Sequence, residues 1–337
     1  MIKVYEIKKD GYEPFIDFLK GLCILCVIWE HGMPFLRETL FYFWGKMAVP
    51  IFLVIQCFHV FKRNLFFCPS FSKLYKRILK PFFIVSLLIL MIKYILGDFL
   101  LSDMSFWLKA LKSGGWGPGC YFPWIYIQFA ILAPVIYRLL QGKSNKFQIS
   151  SILIGSIVTE VVFTYMGGEE WLWRILAIRY LFLMTISFSL CKSHIRLTKT
   201  NMVLSIIGLF FIALFEYEDF SYTPLFFDSA CNWKSTHWVC FLYLFLLIFF
   251  IRMGYEKSSG FMKVAISYLG KASFEIFLVQ MIIFSTIDEH VTEIIDGLRL
   301  HGWLGLFYYL AIWLICLGMG ILIYRLKNRK TSTFVYN

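Results

Sequence analysis

The chain has 337 residues, 59% of them hydrophobic and 20% aromatic, with a mean hydropathy of +0.71. That composition excludes a soluble globular average. Apolar runs long enough for helical spans of about 20 residues recur along the whole sequence, which leaves no room for a sizeable soluble domain. The formal charge of +12 sits in clusters between apolar runs, where orientation signals lie in a membrane protein, so it does not point to nucleic acid.

Residues 1–14 form a cytoplasmic N-terminal segment with Lys3, Lys8 and Lys9. No small-residue cleavage site follows it, so the first apolar run reads as an uncleaved helix and not as a signal peptide. Hydropathy draws ten spans, at 15–35, 42–61, 79–97, 121–140, 147–166, 171–191, 201–217, 237–252, 264–287 and 303–324. The basic clusters Lys62 to Lys80, Arg138 to Lys146, Lys192 to Lys199, Arg252 to Lys263 and Arg325 to Lys330 then share one side with the N-terminal lysines. Glu38, Asp98, Asp103, Glu169, Glu170, Asp228, Asp288 and Asp296 fall on the other.

This asymmetry places both termini in the cytoplasm. The expected architecture is an all-α polytopic protein of the cell inner membrane, with a transmembrane domain over 15–324 and a cytoplasmic tail over 325–337. The longest outer loops, 98–120, 218–236 and 288–302, are rich in aromatic residues, Gly and Pro, and read as half-buried caps over a cavity or as interfacial segments. The cysteines show no metal-type spacing; a disulfide between the outer-side Cys120 and Cys231 is compatible with their placement. No internal repeat is visible, which argues against an inverted-repeat transporter.

Polar groups inside spans are costly and are functional candidates by default. The first span holds Asp17, Lys20, Glu30 and His31. Lys20 and His31 lie on nearly the same helical face, about 16 Å apart along the axis. A charge toward the inner side and a titratable base toward the outer one suit a reaction across the bilayer, since neutral imidazole accepts a proton from a hydroxyl near neutral pH. Glu30 points about 100° away from His31 on a helix, so a direct pair is not given. A snorkelling Lys20 and an interfacial His31 explain the same residues equally well. His59, His194, His237, His290 and His301 lie near span ends or in loops and read as interfacial.

The lysine, ten residues, histidine spacing within Ile16-Asp17-Phe18-Leu19-Lys20-Gly21 resembles the opening motif of the acyltransferase-3 family of transmembrane O-acyltransferases. Further resemblances follow in the family's order. Ala48-Val49-Pro50-Ile51-Phe52-Leu53-Val54-Ile55-Gln56 is similar to its second-helix signature, with Gln56-Cys57 in place of Ser-Gly. Lys73, Lys76, Arg77 and Lys80-Pro81 resemble its inner-loop pair of arginines three apart, and either Lys73/Lys76 or Arg77/Lys80 has that spacing. Gly117-Pro118-Gly119-Cys120-Tyr121-Phe122 leading to Gln128 resembles the fourth-helix entry, and Arg174 with Arg179-Tyr180 a basic sixth helix of the capsule-type branch. Gly270-Lys271-Ala272-Ser273-Phe274-Glu275 through Gln280 is similar to the penultimate signature, with Gln280 where many relatives have histidine.

The resemblance implies transfer of an acyl group, usually acetyl from acetyl-CoA, to a hydroxyl of an envelope polysaccharide or glycolipid. It makes His31 the catalytic base or acyl carrier, with Lys20 and Glu30 as the other members of the catalytic set. The cluster Lys73, Lys76, Arg77 and Lys80 would hold the phosphates of the acyl-CoA donor, although topology alone or anionic lipid also accounts for basic residues there. Asp17, Gln56, Tyr121, Gln128, Arg174, Arg179, Glu275 and Gln280 are the expected substrate-side residues, the glutamines and Glu275 being equally suited to joining helices. Arg174 and Arg179 are expected to line a cavity and to pair with Glu170, Glu160 or the acceptor. The expected partners are acyl-CoA, the glycan and the bilayer, with no metal and no nucleic acid. A transporter or flippase for a lipid-linked glycan is the rival reading.

Overall fold

The computed structural model describes residues 13–32, 46–63, 65, 69–98, 102–193, 195–217, 237–297 and 303–333. Outside them lie the N-terminal lysines, His194, Cys231, His301, the whole of 218–236 and the end of the loop drawn over 288–302. The described residues are mostly helical, with no strand among them. In chain order the helices are α1 (Pro14–Gly32), α2 (Ala48–Lys62), α3 (Phe71–Leu96), α4 (Met104–Ser113), α5 (Phe122–Leu140) and α6 (Asn145–Tyr165). They continue as α7 (Glu170–Ile175), α8 (Leu183–Ser193), α9 (Lys199–Tyr217), α10 (Trp238–Lys257), α11 (Gly260–Lys271), α12 (Ser273–Gly297) and α13 (Trp303–Thr333).

Among the described residues five helices, α3, α5, α6, α10 and most of α13, are long and apolar enough to cross a membrane. A sixth span results if α11 and the first part of α12, bent by 64° at Ala272, count as one. The protein is therefore a multi-pass membrane protein. Four of the ten stretches drawn as spans from hydropathy are not among these six. α1 carries Asp17, Lys20 and Glu30; α2 has only 15 residues; the apolar stretch of α9 covers only Lys199–Leu214; and the run drawn as one span over 171–191 is broken. There α7 ends at Ile175, a single 3-10 turn covers Ala177–Tyr180, and α8 follows. α8 has 11 residues, about 16 Å of helix, too short for a hydrocarbon core of about 30 Å. It is buried on all sides, with Leu183, Met184, Thr185, Ile186 and Ser187 fully enclosed. Its apolar character serves protein packing and not lipid.

The chain forms two compact units. The first comprises 1–20, 49–69 and 126–267. Its centre is α8, whose Ser187 hydroxyl donates to Val54 O of α2 (3.0 Å) and whose Phe188 stacks on Phe61 at 3.9 Å. Ser189 donates to Asn201 Oδ1 of α9 at 2.6 Å. α9 in turn lies so close to the start of α10 that a Cβ on Gly208 would stand 2.6 Å from Tyr243 N, so only a residue without a side chain permits this approach.

The second unit comprises 21–48, 70–125 and 268–337. α12 packs on α13 and on α3. Gly320 of α13 lies directly against Ile276, where a Cβ would stand 2.6 Å from its Cα. Glu275 near the start of α12 pairs with Lys327 near the end of α13 (2.8 Å), so the two helices run in opposite directions. α12 continues to Gly297, so the outer loop expected from residue 288 begins as helix.

Candidate functional site

In the first unit the start of α1 is pinned by charge and by rings. The Glu13 carboxylate accepts from Lys62 (2.8 Å) and Arg252 (2.9 Å), and Arg252 also reaches Glu256 (2.9 Å). Tyr255 meets Phe15 and Phe18 edge-on at 5.6 and 5.0 Å, while the Arg252 guanidinium lies 5.0 Å over the Phe15 ring. Partly exposed ion pairs each contribute about 0–1 kcal/mol, so this cluster orients α1 more than it stabilises it. One turn further on, Lys20 donates to the buried Asp17 at 3.3 Å. Asp17, expected among the substrate-side residues, is thus a partner of Lys20.

Gln56 of α2 donates to Tyr126 O at 2.8 Å. Two residues later in α5, Gln128 grips both sides of the break after α7. Its Nε2 donates to Ile175 O (2.8 Å) and its Oε1 accepts from Ala177 N (2.9 Å). Between them Leu176 is extended, with φ −87° and ψ 137°, so helical bonds stop there and the side-chain amide replaces them. This break separates Arg174, which is exposed, from Arg179, which is half-buried with its guanidinium 5.5 Å over the Tyr180 ring.

Glu160, one of the groups expected to pair with Arg174 or Arg179, holds the start of α10 through both of its carboxylate oxygens. His237 Nε2 lies 3.0 Å from one and Trp238 Nε1 donates to the other at 2.7 Å. All three side chains are buried. His237 is therefore an interior residue holding α10 to α6, and not the interfacial residue its position at a span end suggested. Sequence marked Glu160 as an intramembrane acid, but its partner lies 77 positions away, beyond any local signal.

In the second unit the C-terminal half of α1 ends with Glu30 and His31, both half-buried. The His31 ring faces Phe284 of α12, 6.2 Å between centroids. One turn back on α12, Gln280 is fully buried and donates to Pro118 O at 3.4 Å, which ties the loop before α5 to the helix that meets His31. Tyr121 closes that loop and is half-buried. Glu275, buried at the far end of the same helix, is engaged by Lys327 and joins helices. Cys120, whose placement in sequence is compatible with a bridge to Cys231, sets its Sγ 3.1 Å from Ser113 O, and Cys231 lies outside the described residues.

Lys73, Lys76, Arg77 and Lys80 recur at positions i, i+3, i+4 and i+7 of α3 and are all exposed. None has an ion-pair partner among the described residues. The helix widens to a π-turn over Tyr75–Leu79 in the middle of this stripe, a distortion frequent at functional sites. Four unpaired cations on one helical face form an anion-attracting surface. Among the described residues no group of His, Cys, Asp or Glu side chains is placed to hold a metal ion.

No curated protein and no solved structure matches the chain. The family model for an acyltransferase domain, Acyl_transf_3, matches residues 13–325, and the chain belongs to the acyltransferase-3 family.

Proposed function

We propose that this acyltransferase moves an acetyl group from cytoplasmic acetyl-CoA to a hydroxyl of a polysaccharide or glycolipid on the outer side of the inner membrane, through a multi-pass domain with cytoplasmic termini. The observation that carries the reading is α1, one continuous helix from Pro14 to Gly32. It bears the Lys20–Asp17 pair at one end and Glu30 with His31 at the other. Family membership supplies the reaction class, and the unpaired stripe Lys73, Lys76, Arg77 and Lys80 has the charge to hold the phosphates of a CoA donor.

In this mechanism His31 takes the proton of the acceptor hydroxyl as its oxygen attacks the thioester carbonyl. The carbon–sulfur bond breaks, and His31 returns the proton to the departing thiolate, so charge and atoms balance over the cycle. Alternatively His31 itself attacks and carries the acetyl group to the glycan. Acid quenching during turnover, followed by mass spectrometry of the His31 peptide, separates the two routes.

His31→Ala is expected to abolish glycan O-acetylation, read by NMR of the envelope glycan, while the protein stays folded in the membrane. Acetylation retained by that variant removes His31 from the chemistry.

A further inference from the structure

The stretch drawn from hydropathy as one span over 264–287 is two helices, α11 (Gly260–Lys271) meeting α12 at Ala272 with a bend of 64°. α12 alone has 25 residues, about 37 Å of helix, enough to cross a hydrocarbon core of about 30 Å. α11 is therefore surplus to the crossing. With α12 near the membrane normal, a helix bent 64° from it runs closer to the membrane plane. The last exposed apolar residues of the spanning helix α10, Phe250 and Met253, come one to two turns before Lys257. The change from exposed apolar to exposed charged residues marks where α10 leaves the hydrocarbon, and α11 begins three residues later.

The surface of α11 suits that orientation. Phe261 and Val264 are 80% and 71% exposed, and with the half-buried Ala265 and Tyr268 they recur at i, i+3, i+4 and i+7, which makes one apolar face. Lys263, Ser267 and Lys271 stand beside it at i, i+4 and i+8, and Gly270 is buried on the side turned away. Both ends of the helix are fastened. Lys263 donates to Glu256 O at 3.1 Å and lies 5.1 Å over the Tyr255 ring, which ties the start of α11 to the end of α10. Arg325 of α13 donates to the Tyr268 hydroxyl at 2.9 Å, with its guanidinium 5.5 Å over the ring. Exposed charge brackets the apolar face, since Lys257 closes α10 and Lys271 closes α11.

We propose that α11 lies in the membrane interface and binds anionic phospholipid, with Phe261 and Val264 among the upper acyl chains and Lys257 and Lys271 at the lipid phosphates. An amphipathic helix of this kind sinks its apolar face about 5–10 Å into the boundary between headgroups and acyl chains. A second copy of the chain or another protein would also cover an apolar face. Lipid is favoured because α11 is bent away from the spanning direction, starts where α10 leaves the hydrocarbon, and carries exposed lysines at both ends that complement a layer of phosphates. No step of the acyl transfer enters this assignment.

The test uses the full-length protein in nanodiscs holding phosphatidylglycerol and phosphatidylcholine in equal amounts. Phe261→p-azidophenylalanine keeps the ring at an exposed position and, on illumination, joins whatever touches it; mass spectrometry then identifies the adduct. The expected products are lipid adducts in which phosphatidylglycerol outweighs phosphatidylcholine about fivefold. Adding Lys257→Gln/Lys271→Gln should bring the two lipids to equal yield. Adducts to a peptide of this chain or of a second copy overturn the lipid assignment, because protein then covers the face. So does an absence of lipid adducts at 261 while Leu87→p-azidophenylalanine, at an exposed position of the spanning helix α3, yields them. Equal yields of the two lipids with both lysines in place overturn the phosphate contacts.

Discussion

His237 and Glu160 are held 3.0 Å apart inside the first unit, His237 Nε2 against one carboxylate oxygen. The backbone N–H of Val239 donates to His237 Nδ1 at 3.3 Å, so the ring proton sits on Nε2 and points at Glu160. With Trp238 on the second oxygen, one carboxylate closes the start of α10 onto α6. Glu160→Gln offers only one acceptor oxygen and turns an N–H group toward one of the two donors. Leaving a buried donor unpaired costs about 1–3 kcal/mol. The variant is expected to unfold at a clearly lower temperature in detergent, and an unchanged midpoint would show that this junction contributes nothing.

Gln128→Leu tests the break after α7. The apolar side chain keeps the volume and leaves Ile175 O and Ala177 N without the amide that now joins them. The expected result is faster protease cleavage between Arg174 and Arg179 and a raised KM for the glycan, with acetyl-CoA affinity unchanged. Gln128→Glu retains the acceptor for Ala177 N and loses the donor to Ile175 O, so its effect should be intermediate. Equal cleavage rates in all three proteins would remove Gln128 from its role in holding the break.

Much of the helical pattern is legible from hydropathy, because lipid and interior both select apolar residues. The drawn spans 121–140, 147–166 and 201–217 meet α5, α6 and α9 within a few residues. The errors have specific causes. No proline or glycine marks the break at Leu176, and the averaged hydropathy of 171–191 does not distinguish a helix buried in protein from one buried in lipid. α3 begins at Phe71 and not at residue 79, since the stripe of Lys73, Lys76, Arg77 and Lys80 lies on an exposed face of a helix whose other positions, Leu74, Ile78 and Leu79, are buried. The motif residues of α1 could be named from their spacing. The Glu160–His237 contact and the approach of Gly115 to the Phe82 ring are long-range, and no local spacing encodes them.

Asp103 gives α4 a pH dependence. It is the N-cap of that helix, accepting from the Ser105 hydroxyl (2.7 Å) and from the backbone N–H groups of Ser105 (2.9 Å) and Phe106 (3.3 Å). The Ser105 hydroxyl first, and then these N–H groups, hold its carboxyl below the usual carboxylate range. A depressed folded-state pKa means that the cap stabilises α4 above the ordinary carboxylate pKa and is lost as pH falls through the lower folded value. Hydrogen exchange at Ser105 and Phe106, corrected for intrinsic rates, should show protection declining only in that acid window. Asp103→Asn keeps a capping oxygen and should lose the acid sensitivity; the same decline in that variant would place its origin elsewhere.

The basic stripe on α3 acts through exposed charge, and its physics differs from that of the buried contacts. Lys73, Lys76, Arg77 and Lys80 are exposed and mutually repulsive, so removing one relieves repulsion among the others while weakening attraction for an anion. Single alanine variants should therefore lose little affinity for acetyl-CoA, and Lys76→Ala/Arg77→Ala/Lys80→Ala together should lose at least tenfold, about 1.4 kcal/mol. Exposed charges are screened over about 8–10 Å at physiological salt. Wild-type affinity should accordingly fall as salt rises, and the triple variant should show a shallower dependence. Replacing the same three positions by the other basic residue, Arg for Lys and Lys for Arg, preserves the charge and should restore most of the affinity. Stripes that serve only to orient the helix predict the opposite pattern, with acetyl-CoA binding indifferent to the triple variant and the inserted topology of α3, read by cysteine labelling, altered instead.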